Sequence, residues 1–122
     1  MNKKILIIED EAPLIQALAE ALSAKFDVIQ ANNGKLGLEK ALSENPDFVL
    51  LDMVLPEMVG IEVLSHLRQD AKGKNIPVII LTNLTDLNLE MKARELGVED
   101  YLVKANVSIN TLTKNISKIL KV

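Results

Sequence analysis

The chain has 122 residues, the length of one domain and too short for two, and its 48% hydrophobic content suffices for a core without staples. A net charge of -3 with 2% aromatic residues leaves neither the basic footprint nor the stacking surface that direct nucleic-acid binding needs. Cysteine is absent, which excludes disulfides, thiolate metal sites and cysteine nucleophiles and suits a cytoplasmic location.

The first segment, Met1-Asn2-Lys3-Lys4-Ile5-Leu6-Ile7-Ile8-Glu9-Asp10, sets two lysines before an apolar run that carboxylates end too early for a signal-peptide core. It reads as a buried strand over 5–8. Leu14, Leu18 and Leu22 then recur at helical spacing, with Ala12-Pro13 as a first turn. Residues 27–31 alternate weakly, as an edge strand does, and Leu36, Ala41 and Leu42 mark a second helix. Further strand-length runs follow at Phe48 to Leu51, Val78 to Leu81 and Tyr101 to Val103, separated by helix-length segments. A last helix presents Val107, Ile109, Leu112, Ile116 and Ile119 to the sheet and Lys114, Lys118 and Lys121 to solvent, with Asn106 or Ser108 as its cap. Turn signals at Asn32-Asn33-Gly34, Asn45-Pro46, Gly73 to Pro77 and Gly97 fall between these segments. No run approaches the roughly 20 apolar residues of a membrane span, so membrane insertion is not expected.

Short strands that are apolar on both faces, alternating with helices, predict a doubly wound α/β domain with a parallel sheet. In such a fold ligands bind beyond the carboxyl ends of the strands, where strand order reverses. The residues expected at those ends are Glu9-Asp10-Glu11, Asp52, Thr82 and Lys104, all polar. Crowded carboxylates repel one another unless a cation neutralises them. A set of oxygen ligands without His or Cys favours a hard ion such as Mg2+, with Mn2+ as an alternative. Asp52 beside such an ion, faced by a hydroxyl and an ammonium, is equipped to accept a phosphoryl group. Each residue also has an ordinary reading: acidic residues after a strand often cap a helix, and a lone Asp or Lys there is often a turn or solvated residue. The conjunction of all of them, in order, favours chemistry.

The stretches Ile7-Ile8-Glu9-Asp10-Glu11, Asp52-Met53-Val54-Leu55-Pro56-Glu57-Met58-Val59-Gly60, Ile80-Leu81-Thr82 and Asp100-Tyr101-Leu102-Val103-Lys104 resemble the response-regulator receiver domains of bacterial two-component signalling, the CheY-like superfamily. The resemblance covers essentially the whole chain, taken as a single receiver domain over 1–122. It implies a flavodoxin-like (βα)5 fold with a five-stranded parallel sheet in order 2-1-3-4-5. It also implies Asp52 as phosphoacceptor, Asp10 as a direct Mg2+ ligand, Glu9 as an outer ligand and the backbone carbonyl of Val54 completing the metal site. Thr82 and Lys104 would bind phosphoryl oxygens, and Tyr101 would report the switch together with Thr82. The implied donors are a sensor histidine kinase, a phosphotransfer protein or a small phosphodonor. The domain would catalyse its own phosphorylation and dephosphorylation without turning over an external substrate. Its fourth helix, fifth strand and fifth helix would signal to a downstream protein, the chain being a monomer or a weak phosphorylation-dependent dimer.

Several positions depart from that pattern. Ala105 follows Lys104 where most relatives have a proline after a cis bond, and a non-proline cis bond costs about 2.5–4 kcal/mol, so a trans bond is expected. Asn83 stands after Thr82 where a small residue is usual, narrowing the mouth of the site. Val54 and Leu84, two residues after Asp52 and Thr82, are apolar and cannot orient an attacking water, which predicts a long-lived phosphoryl state. Val59 replaces an acidic or amide residue before Gly60. His66 reads as a surface residue, Met53, Met58 and Met91 as packing or loop residues, and Glu11 as part of a helix start. The rival from another class is a receiver-like interaction module working without phosphorylation. An aspartate-nucleophile phosphohydrolase is disfavoured because Val54 stands where its second Asp would be. A flavodoxin-like cofactor carrier is disfavoured because Glu9-Asp10-Glu11 would repel a phosphate.

Overall fold

The computed structural model describes residues 2–122; Met1, the first residue of the expected domain, lies outside them. Five strands, β1 (Lys4–Ile8), β2 (Asp27–Ala31), β3 (Phe48–Leu51), β4 (Val78–Thr82) and β5 (Asp100–Val103), alternate with α1 (Ala12–Ser23), α2 (Gly34–Ser43), α3 (Gly60–Gln69), α4 (Leu87–Glu95) and α5 (Ile109–Leu120). All strand pairs are parallel and the order is β2-β1-β3-β4-β5, as the resemblance implied.

The sheet is apolar on both faces because successive residues of each strand point to opposite sides. Leu6, Ile8, Val49, Leu51, Val78 and Ile80 pack against α2, α3 and α4 through Ala41, Val63, Leu64, Leu67 and Ala93. Ile5, Ile7, Phe48, Leu50, Ile79 and Leu81 pack against α1 and α5 through Leu18, Leu22, Leu112 and Ile116. The weakly alternating run 27–31 is an edge strand, as expected, and β5 forms the other edge. Ser108, rather than Asn106, caps α5 by accepting the Thr111 N–H at 3.1 Å. Val59 precedes α3 without a side-chain cap, as valine must. His66 is exposed, while Met91, 53% exposed on α4, is neither packed nor in a loop.

At the end of the sheet opposite the polar strand ends, Arg68 ties two loops together. Its guanidinium donates to the carbonyls of Leu96 at 2.7 Å, Gly73 at 2.8 Å, Ile76 at 2.8 Å and Gly97 at 3.4 Å. Burial pushes this group down from its ordinary pKa, with the nearby Glu99 charge opposing.

The loop from β3 to α3 returns across the strand ends and is held by two glycines. Gly34 donates to the Pro56 carbonyl at 3.0 Å and Gly60 to that of Met53 at 3.0 Å. A Cβ on Gly60 would sit 2.1 Å from the Asp52 carbonyl oxygen and 2.6 Å from Met53 Cα, so backbone would have to move. Glu57 in this loop adopts φ 70, a left-handed conformation that costs a non-glycine residue roughly 1–2 kcal/mol. Gly60→Ala is therefore expected to destabilise the fold by about 3 kcal/mol in urea denaturation, the upper part of the usual overpacking range. A loss below about 1 kcal/mol would mean the loop yields freely.

Candidate functional site

Strand register brings the polar ends together. Ile8 pairs with Leu51, and Asp52 N–H donates to the Ile8 carbonyl at 3.1 Å, so Glu9 and Asp52 lie side by side just beyond adjacent strands. Thr82, the last residue of β4, pairs with Val103, and Lys104 follows immediately. The result is a cavity of about 390 Å³ lined by Asp10, Glu11, Asp52, Val54, Thr82, Asn83, Leu84 and Lys104. It lies where the chain crosses from β1 outward to β2 on one side and β3 on the other, the reversal point anticipated from the α/β pattern.

Lys104 holds the centre. Its ammonium is 2.8 Å from Asp52 Oδ2, 2.8 Å from Glu9 Oε1 and 3.5 Å from Glu11 Oε1. The side chains of Glu9 and Asp52 are each only 4% exposed and that of Lys104 10%, so these pairs are buried. The remaining oxygens are also used: Asp52 Oδ1 accepts the Val54 N–H at 3.2 Å, and Glu9 Oε2 accepts the N–H groups of Asp10 and Glu11, each at 3.0 Å. Burial alone would push the Lys104 ammonium down, but hydrogen bonds and charge from Asp52 and Glu9 outweigh it and hold it above its ordinary value. Burial pushes the Glu9 carboxyl up; Lys104 and the Glu11 N–H pull against this, and the Asp52 charge adds to it.

Carboxylate oxygens of Glu9, Asp10 and Asp52 converge within 4.8 Å of one another, with Asp10 exposed at the rim. This is the all-oxygen donor set a hard divalent cation requires, and the three residues are those expected to hold one. Val54, 58% exposed, borders the same cavity.

Thr82 is fully buried, and its hydroxyl accepts the Leu84 N–H at 3.2 Å. Tyr101 is 7% exposed and donates its hydroxyl proton to the Leu84 carbonyl at 2.7 Å, so Thr82 and Tyr101 grip one residue of the β4–α4 loop. Burial, aided by the Glu90, Asp86 and Asp52 charges, pushes the Tyr101 phenol up and keeps it a donor. All the expected site residues thus border or reach one region.

Two contacts were not foreseen. Glu11, read as part of a helix start, precedes α1 without a side-chain cap and instead reaches Lys104. Asn83, expected to narrow the mouth, lines it but also accepts the Ala105 N–H at 3.3 Å. No peptide bond among the described residues is cis, so Lys104-Ala105 is trans as expected.

The family model for the response regulator receiver domain matches residues 5–117. The chain is 39% identical over 105 residues to the alkaline phosphatase synthesis transcriptional regulatory protein PhoP of Bacillus subtilis, covering 85% of this chain and 43% of that protein. It is 38% identical over 104 residues to the hybrid signal transduction histidine kinase D of Dictyostelium discoideum, covering 84% of this chain and 7% of that protein. It therefore spans less than half the length of either relative. Among solved structures, the chemotaxis response regulator CheY4 of Vibrio cholerae superposes with a TM-score of 0.87 at 26% identity, over 98% of this chain and 99% of that one. A CheY-like receiver domain protein from Methanospirillum hungatei shares the fold with a TM-score of 0.92 at 24% identity, over 99% of this chain and 95% of that one.

The converging carboxylates of Glu9, Asp10 and Asp52 repel one another when no divalent cation is present. Asp10→Asn, in chelator, is expected to raise the melting temperature by about 1–4 °C, measured calorimetrically. A drop would show that Asp10 supports the fold rather than straining it.

Proposed function

The chain belongs to the response regulator receiver domain family, and from that premise we propose that it accepts a phosphoryl group on Asp52. The observation that carries this reading is the Lys104 ammonium at 2.8 Å from both Asp52 and Glu9, inside a converging set of carboxylates at the strand ends. An Asp52 oxygen forms the new O–P bond as the donor's P–N or P–O bond breaks. Lys104, already seated against Asp52, moves with the incoming group and offsets charge on its equatorial oxygens, and the Thr82 hydroxyl turns from the Leu84 N–H to donate its proton to a phosphoryl oxygen. Glu9, Asp10, Asp52 and the Val54 carbonyl would hold the Mg2+ ion, whose part is to neutralise the charge of donor and carboxylates. Residues of this chain do the rest: they position the nucleophile and exclude bulk water from it.

The same reading extends to signalling. Once Thr82 turns to the phosphoryl group, its grip on Leu84 is released, and Tyr101, whose hydroxyl holds the Leu84 carbonyl, moves with the β4–α4 loop as it shifts between two packed states. The surface of α4, β5 and α5 then changes for a downstream protein. Relatives of the chain include histidine kinases and response regulators, in keeping with a sensor kinase or phosphotransfer protein as donor in the cytoplasm. Residues 1–122 act as one receiver unit, monomeric or weakly dimeric when phosphorylated. No helix among the described residues is long and apolar enough to cross a membrane.

The test is incubation with Mg2+ and a small acyl phosphate, followed by intact mass spectrometry over time. Wild type is expected to gain one phosphoryl group and Asp52→Asn none. Val54 and Leu84 flank the mouth at 58% and 37% exposure and bring no acid or base to a water, so after donor removal the adduct is expected to last minutes rather than seconds. An unmodified wild type, under conditions that modify another receiver, would instead favour an interaction module that works without phosphorylation.

A further inference from the structure

Lys104 is the first residue of a 3-10 turn, Lys104–Asn106, and the first N–H groups of such a turn have no partner within it. The residue that would ordinarily cap them is Val103, whose side chain cannot accept a hydrogen bond. The backbone ladder between β4 and β5 is likewise finished at the pair Thr82 and Val103. The turn carrying the Lys104 ammonium would therefore begin as uncapped backbone at an exposed sheet edge. Asn83 fills that gap. One residue beyond the end of β4, its Oδ1 accepts the Ala105 N–H at 3.3 Å, adding a side-chain rung where the backbone rungs stop. Lys104 is then fixed on both sides, by the Thr82 and Val103 pair before it and by the Asn83 link after it. No other side-chain hydrogen bond among the described residues joins this turn to the β4–α4 loop.

We propose that Asn83 is a positioning residue for Lys104, acting through the Ala105 N–H to set the turn from which the ammonium reaches Asp52 and Glu9. The same link joins the β4–α4 loop, which Thr82 and Tyr101 grip at Leu84, to the lysine turn, so displacement of that loop is felt at Lys104. The inference rests on the phosphoacceptor reading only for its kinetic consequence; the geometric part stands independently.

The experiment compares wild type, Asn83→Ala and Asn83→Asp, the last retaining the acceptor oxygen. Two measurements need no phosphorylation: hydrogen exchange of the Ala105 amide, and persistence of the Lys104 side-chain ammonium signal in nitrogen NMR, which requires a held ion pair. Asn83→Ala is expected to speed Ala105 exchange about 3- to 10-fold, the factor one neutral hydrogen bond carries, and to broaden the Lys104 signal. Asn83→Asp is expected to restore both. In phosphorylation by a small acyl phosphate, Asn83→Ala is expected to lower the maximal rate about 3- to 10-fold at unchanged half-saturating donor, with Asn83→Asp recovering most of the loss. Unchanged Ala105 exchange in Asn83→Ala, or a Lys104 signal as sharp as in wild type, would overturn the proposal. So would a wild-type maximal rate in that variant, if wild type is phosphorylated. Should wild type take no phosphoryl group, the phosphoacceptor reading fails, and the two NMR measurements still decide whether Asn83 sets Lys104.

Discussion

The ammonium of Lys104, shared between the buried carboxylates of Asp52 and Glu9, is the contact on which the rest of this structure depends. A buried charge left unpaired is strongly destabilising, so removing this one cation would strand two carboxylates beneath the surface. The ammonium closes the top of the sheet by linking the residue after β5 to those after β1 and β3. Yet it does not balance the site. Glu9, Asp10 and Asp52 converge within 4.8 Å of one another and Glu11 also reaches the ammonium, so carboxylates outnumber the one lysine. A divalent cation offsets part of that excess, and the oxygen ligands suit it in kind.

The parallel sheet makes this convergence possible. Because all five strands run the same way, their carboxyl ends open on one side, and residues far apart in sequence emerge as neighbours. Register then aligns them finely, setting Glu9 beside Asp52 and Lys104 just past Val103. The apolar layers beneath, with Ile5 to Ile8 and Phe48 to Leu51 almost wholly buried, give the strained acidic end a rigid base. The cost of crowding like charges is borne by a core that needs no polar help. That division is common where a site is built for chemistry rather than for stability.

Most of the fold was legible in the sequence because its cues are local. Runs such as Val78 to Leu81, of strand length and rich in Val and Ile, read as buried strands, and Leu14, Leu18 and Leu22 read as a helix stripe. The members of the site were legible for a related reason: charged residues directly after buried strands lie where a parallel sheet binds ligands. What the sequence could not show were contacts set by juxtaposition between elements. Glu11 sits at the start of α1 as its place in the sequence suggests, yet its side chain also reaches Lys104. Asn83 looks like an obstruction until the turn after β5 presents an uncapped N–H to it. Arg68 of α3 has no local signal for its role, yet four carbonyls from two loops surround its guanidinium. No periodicity encodes any of the three.

Lys104 leaves the carboxylate cluster short of positive charge, and the proposed divalent ion would make up the shortfall at Glu9, Asp10 and Asp52. Titration of the protein with Mg2+, following side-chain carboxyl carbons and backbone amides by NMR, tests it most directly. Saturable shifts confined to Glu9, Asp10, Asp52 and the peptide groups around Val54, and abolished in an Asp10→Asn, Asp52→Asn double variant, are the result expected. Shifts scattered over the surface acids, or none at these residues, would contradict it.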